Sequence, residues 1–118
     1  MKLTIPMEPP SVNNYVRHTR AGRHYKTREA LAWASAVAVI ANGCVHVEGK
    51  AHEITFTVYR GFKSRGDIDN AAKCVLDSLV TAGVLKSDAS VVALHCYKRR
   101  DRENPRTEIT IVEFKESA

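Results

Sequence analysis

The segment Gly66-Asp67-Ile68-Asp69-Asn70-Ala71-Ala72-Lys73 concentrates the chemistry of this chain. Two carboxylates stand two residues apart where a helix is expected to begin. A lysine follows one helical turn after the second, and an isolated acid, Asp88, lies just beyond that helix. Carboxylate oxygens are hard ligands, so Asp67, Asp69 and Asp88 together suit Mg²⁺, with Mn²⁺ as a substitute. Crowded carboxylates resist ionisation until a cation arrives and reverses that preference. A divalent ion held there would make water acidic enough to attack a phosphodiester near neutral pH. Lys73 shares a helical face with Asp69 at i,i+4 spacing, so it could pair with that acid at rest and meet the charge on phosphorus in the complex. Each feature also has a plainer reading. Asp67 or Asp69 could cap the helix, Asp69-Lys73-Asp77 could be a solvated ladder, and Asp88 could be a turn residue. Asp-x-Asp also occurs in phosphatases that use Asp as nucleophile, directly at the end of a strand. The basic loop Lys63-Ser64-Arg65-Gly66 intervenes here and counts against that class.

The acids sit in a basic chain, with a net charge of +5 and a pI near 9.3, which favours a polyanionic partner. Arg17, His18, Arg20, Arg23, His24, Lys26 and Arg28 crowd one stretch with Tyr15 and Tyr25 interleaved. Cations of this kind meet phosphates while rings stack on exposed bases; the alternative is a solvated loop. A further run, Lys98-Arg99-Arg100 with Arg102 and Arg106, could track a DNA arm, although Asp101 and Glu103 dilute it.

The elements that must position these residues are legible in outline. With 118 residues, 44% hydrophobic and 26% charged, the chain is a single globular domain, residues 1–118, with one modest core. A short strand at 2–5 is closed by Pro6, and 7–26 lacks periodicity and reads as a long functional loop. Ala30, Trp33, Val37 and Ile40 recur at helical spacing over 27–41, before the stop signal Asn42-Gly43. Ile54, Phe56 and Val58 alternate with polar residues as in a half-buried strand. A second helix over 69–82 would bury Ala72, Val75, Leu76 and Leu79 and end at Gly83. Strands at 91–98 and 107–114 flank a charged turn and read as a terminal hairpin. The order β-α-β-α-β-β predicts an α/β domain: a mixed sheet with two main helices packed on it.

Cys44, Cys74 and Cys96 are odd in number and lack C-x-x-C spacing, which fits free thiols in a reducing compartment. Cys44-x-His46 and His95-Cys96 make a poor zinc site, since zinc ligands come as tight paired modules. The longest apolar stretch, 31–41, is far short of a membrane span, and no targeting segment is visible, so a cytoplasmic protein without membrane association is expected.

Taken in order, these residues resemble the RusA family of Holliday junction resolvases, often encoded by prophages. The likeness runs through Pro9-Pro10-Ser11 with Asn13-Asn14, Arg17-His18 and Arg23. It continues through Asp67-x-Asp69-Asn70-x-x-Lys73, Leu76-Asp77-x-Leu79 and Gly83, and ends with Asp88 ahead of Val91. The resemblance implies a small homodimer of α/β fold that cuts four-way branched DNA by Mg²⁺-dependent hydrolysis, placing symmetric nicks in two strands of like polarity, in recombination and repair. By position Asp67, Asp69 and Asp88 match the family's metal-binding catalytic acids, and Lys73 its essential lysine. Asn70 is expected to support them by orienting an acid or a water. Asn13, Asn14, Arg17, Arg23, Lys26, Lys63 and Arg65 are the expected DNA contacts. The family often carries an acidic pair where this chain has Ser87-Asp88, and its basic residues often run up to the first acid, where Gly66 stands here. The competing readings are another metal-dependent nuclease acting on flaps or single strands, and a non-catalytic junction-binding protein.

Overall fold

Alternation along one nine-residue stretch organises the domain. In β4 (His52–Arg60) the side chains of His52, Ile54, Phe56 and Val58 are buried on one face, and the residues between them are half-buried on the other. A computed structural model describes residues 1–10, 16–18, 24–42, 51–61 and 68–114, with backbone alone at 16–18, 24–26 and 68–70. The elements run β1 (Lys2–Ile5), β2 (Val16–His18), β3 (His24–Lys26), α1 (Arg28–Ile40), β4, α2 (Ile68–Thr81), a 3-10 turn (Asp88–Ser90), β5 (Val91–Arg100) and β6 (Arg106–Glu113). Four strands form a mixed sheet in the order β1-β6-β4-β5. β4 pairs parallel with β5 and antiparallel with β6, and β1 pairs antiparallel with β6. Two helices cover one face, and the expected α/β architecture is present.

Three expectations are corrected. The last two strands do not form a hairpin, because β4 lies between them. The chain leaves β5, passes over the end of β4 and returns as β6, crossing two strand spacings, roughly 10 Å. Asp101 holds that crossing. Its amide donates to the Arg60 carbonyl at 2.9 Å. Its carboxylate accepts from the amides of Glu103 and Asn104 at 3.3 and 3.2 Å, and from Arg106 Nη1 at 2.8 Å. Second, the stretch 7–26 carries an antiparallel ribbon, β2 with β3, in the register Val16↔Lys26, Arg17↔Tyr25 and His18↔His24. Strands of three residues are too short to declare a period. Third, the buried stripes are rotated. Ile40 is 39% exposed, while Ala30, Trp33 and Val37 are buried as expected and Ala41 joins them. In α2 the buried face is Ala71, Cys74, Val75, Ser78 and Leu79, with Ala72 and Leu76 only partly buried.

The helix ends have ordinary causes. Thr27 caps α1, its hydroxyl accepting from the Ala30 amide at 3.3 Å. α2 closes in a Schellman motif: Gly83, at φ 81°, donates to the Val80 carbonyl at 3.0 Å, and Val84 donates to that of Leu79 at 2.9 Å. The two helices are joined by one buried bond, Trp33 Nε1 donating to Ser78 Oγ at 3.0 Å, while Ser78 Oγ donates to the Val75 carbonyl at 2.8 Å. Trp33 is fully buried and fills the space between helices and sheet.

Trp33→Phe should cost about 1 kcal/mol, the lost bond to Ser78, and Trp33→Ala about 3–5 kcal/mol, as read by urea unfolding followed by circular dichroism. The Asp101 carboxyl lies below its ordinary pKa, chiefly through the side-chain bond from Arg106 and further through the Asn104 and Glu103 amides, against an opposing effect of burial. Its stabilisation is therefore complete above the unfolded value near 4 and is lost as pH falls through the lower folded value. Thermal melts of Asp101→Asn should lie below wild type at neutral pH and converge on it in acid; a constant gap would contradict the assignment.

Candidate active site

α2 begins where the chain has left the carboxyl end of β4 through Gly61. That exit is tightly held. The Gly61 amide donates to Glu8 Oε2 at 3.3 Å, and a Cβ added at Gly61 would stand 3.2 Å from Pro105 Cγ. The first turn of α2 carries Asp69 and Asn70, whose backbone alone is described, and Lys73 follows one turn later. The Lys73 side chain is 67% exposed, and its Nζ lies 3.9 Å from Asp77 Oδ2. It therefore leans along the helix away from Asp69, in the ladder that the spacing allowed. An exposed pair of this kind contributes only about 0.3–0.5 kcal/mol, so the ammonium is free to turn toward an anion at small cost. Arg17 lies in β2 and Lys26 in β3, with Arg17 paired to Tyr25. Asp67, Asn13, Asn14, Arg23, Lys63 and Arg65 lie outside the described residues.

Asp88 opens the 3-10 turn ahead of β5 and is exposed. Its neighbours hold the turn. Ser87 Oγ accepts from the Ala89 amide at 3.1 Å, and the Ser87 carbonyl accepts from Ser90 N at 3.3 Å and Ser90 Oγ at 2.8 Å. Ser87, standing where an acidic pair is common in the resembled family, thus caps the turn. Ser90 Oγ also lies 3.1 Å from Nδ1 of His52, the first residue of β4, which is only 3% exposed. Ser90 Oγ thus donates to the Ser87 carbonyl and shares a second bond with His52 Nδ1, whose direction follows the imidazole tautomer. A line of bonds thereby ties the buried sheet to the turn that presents Asp88. Sequence reasoning missed His52 and Ser90, which are 38 residues apart and share no motif.

The acids divide into two groups. Asp69 stands at the start of α2, and Asp88 follows its end. β4 and β5 run parallel, with Val91 paired to His52, so α2 carries the chain back along the sheet between the two positions. From Asp69 to Thr81 the helix rises roughly 18 Å. Carboxylates sharing an ion must bring oxygens within about 2–2.6 Å of it. α2 thus sets the backbone of Asp69 and the turn of Asp88 at its opposite ends. His95 and Cys96 do not converge: successive strand residues face opposite ways, and His95 Nε2 lies 3.1 Å from Glu53 Oε2 on the open face. Cys44 and His46 lie outside the described residues. Among the described residues no helix is long and apolar enough to cross a membrane.

Comparison with known proteins gives one answer. The chain matches the family of endodeoxyribonuclease RusA over residues 6–112. It is 34% identical over 114 residues to a crossover junction endodeoxyribonuclease of Enterobacteria phage 82, spanning 95% of this chain and 93% of that protein. The same figures relate it to the crossover junction endodeoxyribonuclease RusA of Escherichia coli. That of Shigella sonnei is 33% identical over the same spans.

If His52 holds the Asp88 turn, His52→Leu should speed amide hydrogen exchange at Ala89 and Ser90 about tenfold, the equivalent of one lost bond, and leave the core amides of α2 unchanged. His52→Asn, which keeps a hydrogen-bonding group near the Nδ1 position, should restore protection; equal exchange in both variants would refute the tie.

Proposed function

The chain belongs to the endodeoxyribonuclease RusA family, and we propose that it is a structure-selective endodeoxyribonuclease that resolves four-way DNA junctions by Mg²⁺-dependent hydrolysis, acting as a homodimer that nicks two strands of like polarity. The observation that carries this reading is a family match over residues 6–112, which takes in Asp67, Asp69, Lys73 and Asp88. Three carboxylates form an all-oxygen donor set that fits a hard divalent ion. When bound, such an ion supplies the positive charge and the acidic water that phosphodiester hydrolysis needs. Asp67 and Asp69 would hold it from the start of α2. Because α2 keeps Asp88 at its other end, the third carboxylate at each ion would be Asp88 of the partner subunit, and two-fold pairing would make two such sites. Lys73, weakly engaged by Asp77, would swing to the scissile phosphate and offset its growing charge. The His52–Ser90 tie would hold the Asp88 carboxylate at a fixed place for its partner.

One experiment separates the alternatives. With Mg²⁺ the purified protein should nick a synthetic four-way junction and spare linear duplex of the same sequence. Asp69→Asn and Asp88→Asn should each bind the junction and lose cutting by at least about a hundredfold, the scale of removing one charge-stabilising group. An equal mixture of the two variants, allowed to exchange subunits, should regain single nicks, because a mixed dimer has one intact shared site and one doubly defective one. A mixture as dead as its parts would sink the shared site. Cutting by Asp69→Asn at the wild-type rate would sink the acid assignment. Junction binding without nicking would favour a binding module, and preferential cutting of flaps another nuclease.

A further inference from the structure

The carboxyl end of β5 gathers cations that the site above does not use. Lys98, Arg99 and Arg100 close the strand and are all exposed. Among the described residues no carboxylate pairs with any of the three. Asp101, one of the two acids that dilute this run in sequence, is engaged elsewhere, as is Glu108 further along. Asp101 Oδ2 takes Arg106 Nη1 at 2.8 Å, and Glu108 Oε1 takes Arg106 Nε at 3.4 Å. Arg106 lies over the Tyr59 ring, 3.7 Å from its centroid. The cations that run together in the sequence therefore separate: Arg106 is a structural group, and Lys98, Arg99 and Arg100 face solvent.

Arg100 pairs in register with Arg60 across the parallel β4–β5 ladder, so a fourth basic residue stands beside the run. Protection of a sheet edge explains cations on an outer strand, but these are in the wrong place for it. β5 is the outer strand, and its exposed apolar residues Val92, Leu94 and Tyr97 all precede the charges. Lys98 and Arg100 project to one side of the strand about 6.7 Å apart, a step comparable to that between successive phosphates of one DNA strand. Arg99 projects to the other side, its guanidinium 5.6 Å from the Tyr97 ring. Because β4 and β5 are parallel, this patch closes the same end of the sheet from which the chain departs for Asp67 and α2.

We infer that Lys98, Arg99 and Arg100 form a track for the phosphate backbone of a duplex arm, outside the cutting site and without base readout. The inference rests on the reading of the substrate as branched DNA. It makes these residues contributors to affinity and arm placement, and leaves the hydrolytic step to the acids and Lys73.

The test is junction binding by fluorescence anisotropy in EDTA over a range of salt, for wild type, the triple variant Lys98→Gln/Arg99→Gln/Arg100→Gln, and Lys2→Gln as a charge control on the opposite outer strand. The triple variant should bind at least tenfold more weakly near physiological salt. The slope of log affinity against log salt should shrink by about 0.9 for each phosphate no longer neutralised. Nicking at saturating protein with Mg²⁺ should match wild type, and so should the thermal melt. An unchanged slope overturns the track. A loss per charge as large in Lys2→Gln also overturns it, in favour of a general field. If wild type binds DNA without ever nicking a junction, the resolvase reading fails while a reduced slope still supports the track. Wild type that binds no DNA removes both.

Discussion

Pairing of β4 on both edges is the constraint on which the other parts depend. A strand held parallel on one side and antiparallel on the other cannot shift register without breaking both ladders and turning Ile54, Phe56 and Val58 out of the core. Each end of this fixed strand then places one end of α2. At the carboxyl end, Asp101, Pro105 and Glu8 close around Arg60 and Gly61 and set the direction in which the chain departs for the acidic segment. At the amino end, His52 reaches Ser90 and sets the turn into which α2 delivers the chain. Asp69, Lys73 and Asp88 thus lie on a helix and a turn, but their places are inherited from a strand that contains none of them.

The parts legible in the sequence are those with a strong local period. β4 shows in the alternation of Ile54, Phe56 and Val58, α1 in the spacing of Ala30, Trp33 and Val37, and the end of α2 in Gly83. What a period does not encode is partnership. The alternation in β5 and β6 marks two strands joined by a short charged turn, and nearness in sequence suggests a hairpin; only the strand between them, placed by the α2 crossover, excludes it. The buried face of α2 departs from its apolar stripe for a related reason. The small residues Ala71, Cys74 and Ser78 are buried, and Ser78 takes the Trp33 indole bond; room for a bulky neighbour is a property of the packing and not of the residue. Within the candidate site, Asp69, Asn70 and Lys73 fall on the expected helix and Asp88 beyond it. The bond from His52 had no signal, since a histidine at the start of a strand reads the same whether it is packing or positioning.

Charge in this molecule is sorted by engagement and not by sequence position. Arg106 receives two carboxylates and an aromatic ring, and its guanidinium is held by them above its ordinary pKa, Asp101 first. At the same end of the sheet Lys98, Arg99 and Arg100 face water, with no acid paired to them among the described residues. A run that looks uniform in the sequence is therefore two different things: a locked turn, and an open surface whose charge is available to whatever approaches.

The length of α2 has a consequence for number. In the proposed arrangement, a helix that keeps two acidic positions at its opposite ends would make each chain half of a ligand set. An ion shared in that way would count two chains, and the number of such ions would rise with the square of protein concentration when chains are scarce. A site of that kind would couple a chemical capacity to abundance: below the concentration at which copies find each other, its halves would be only a helix start and a turn.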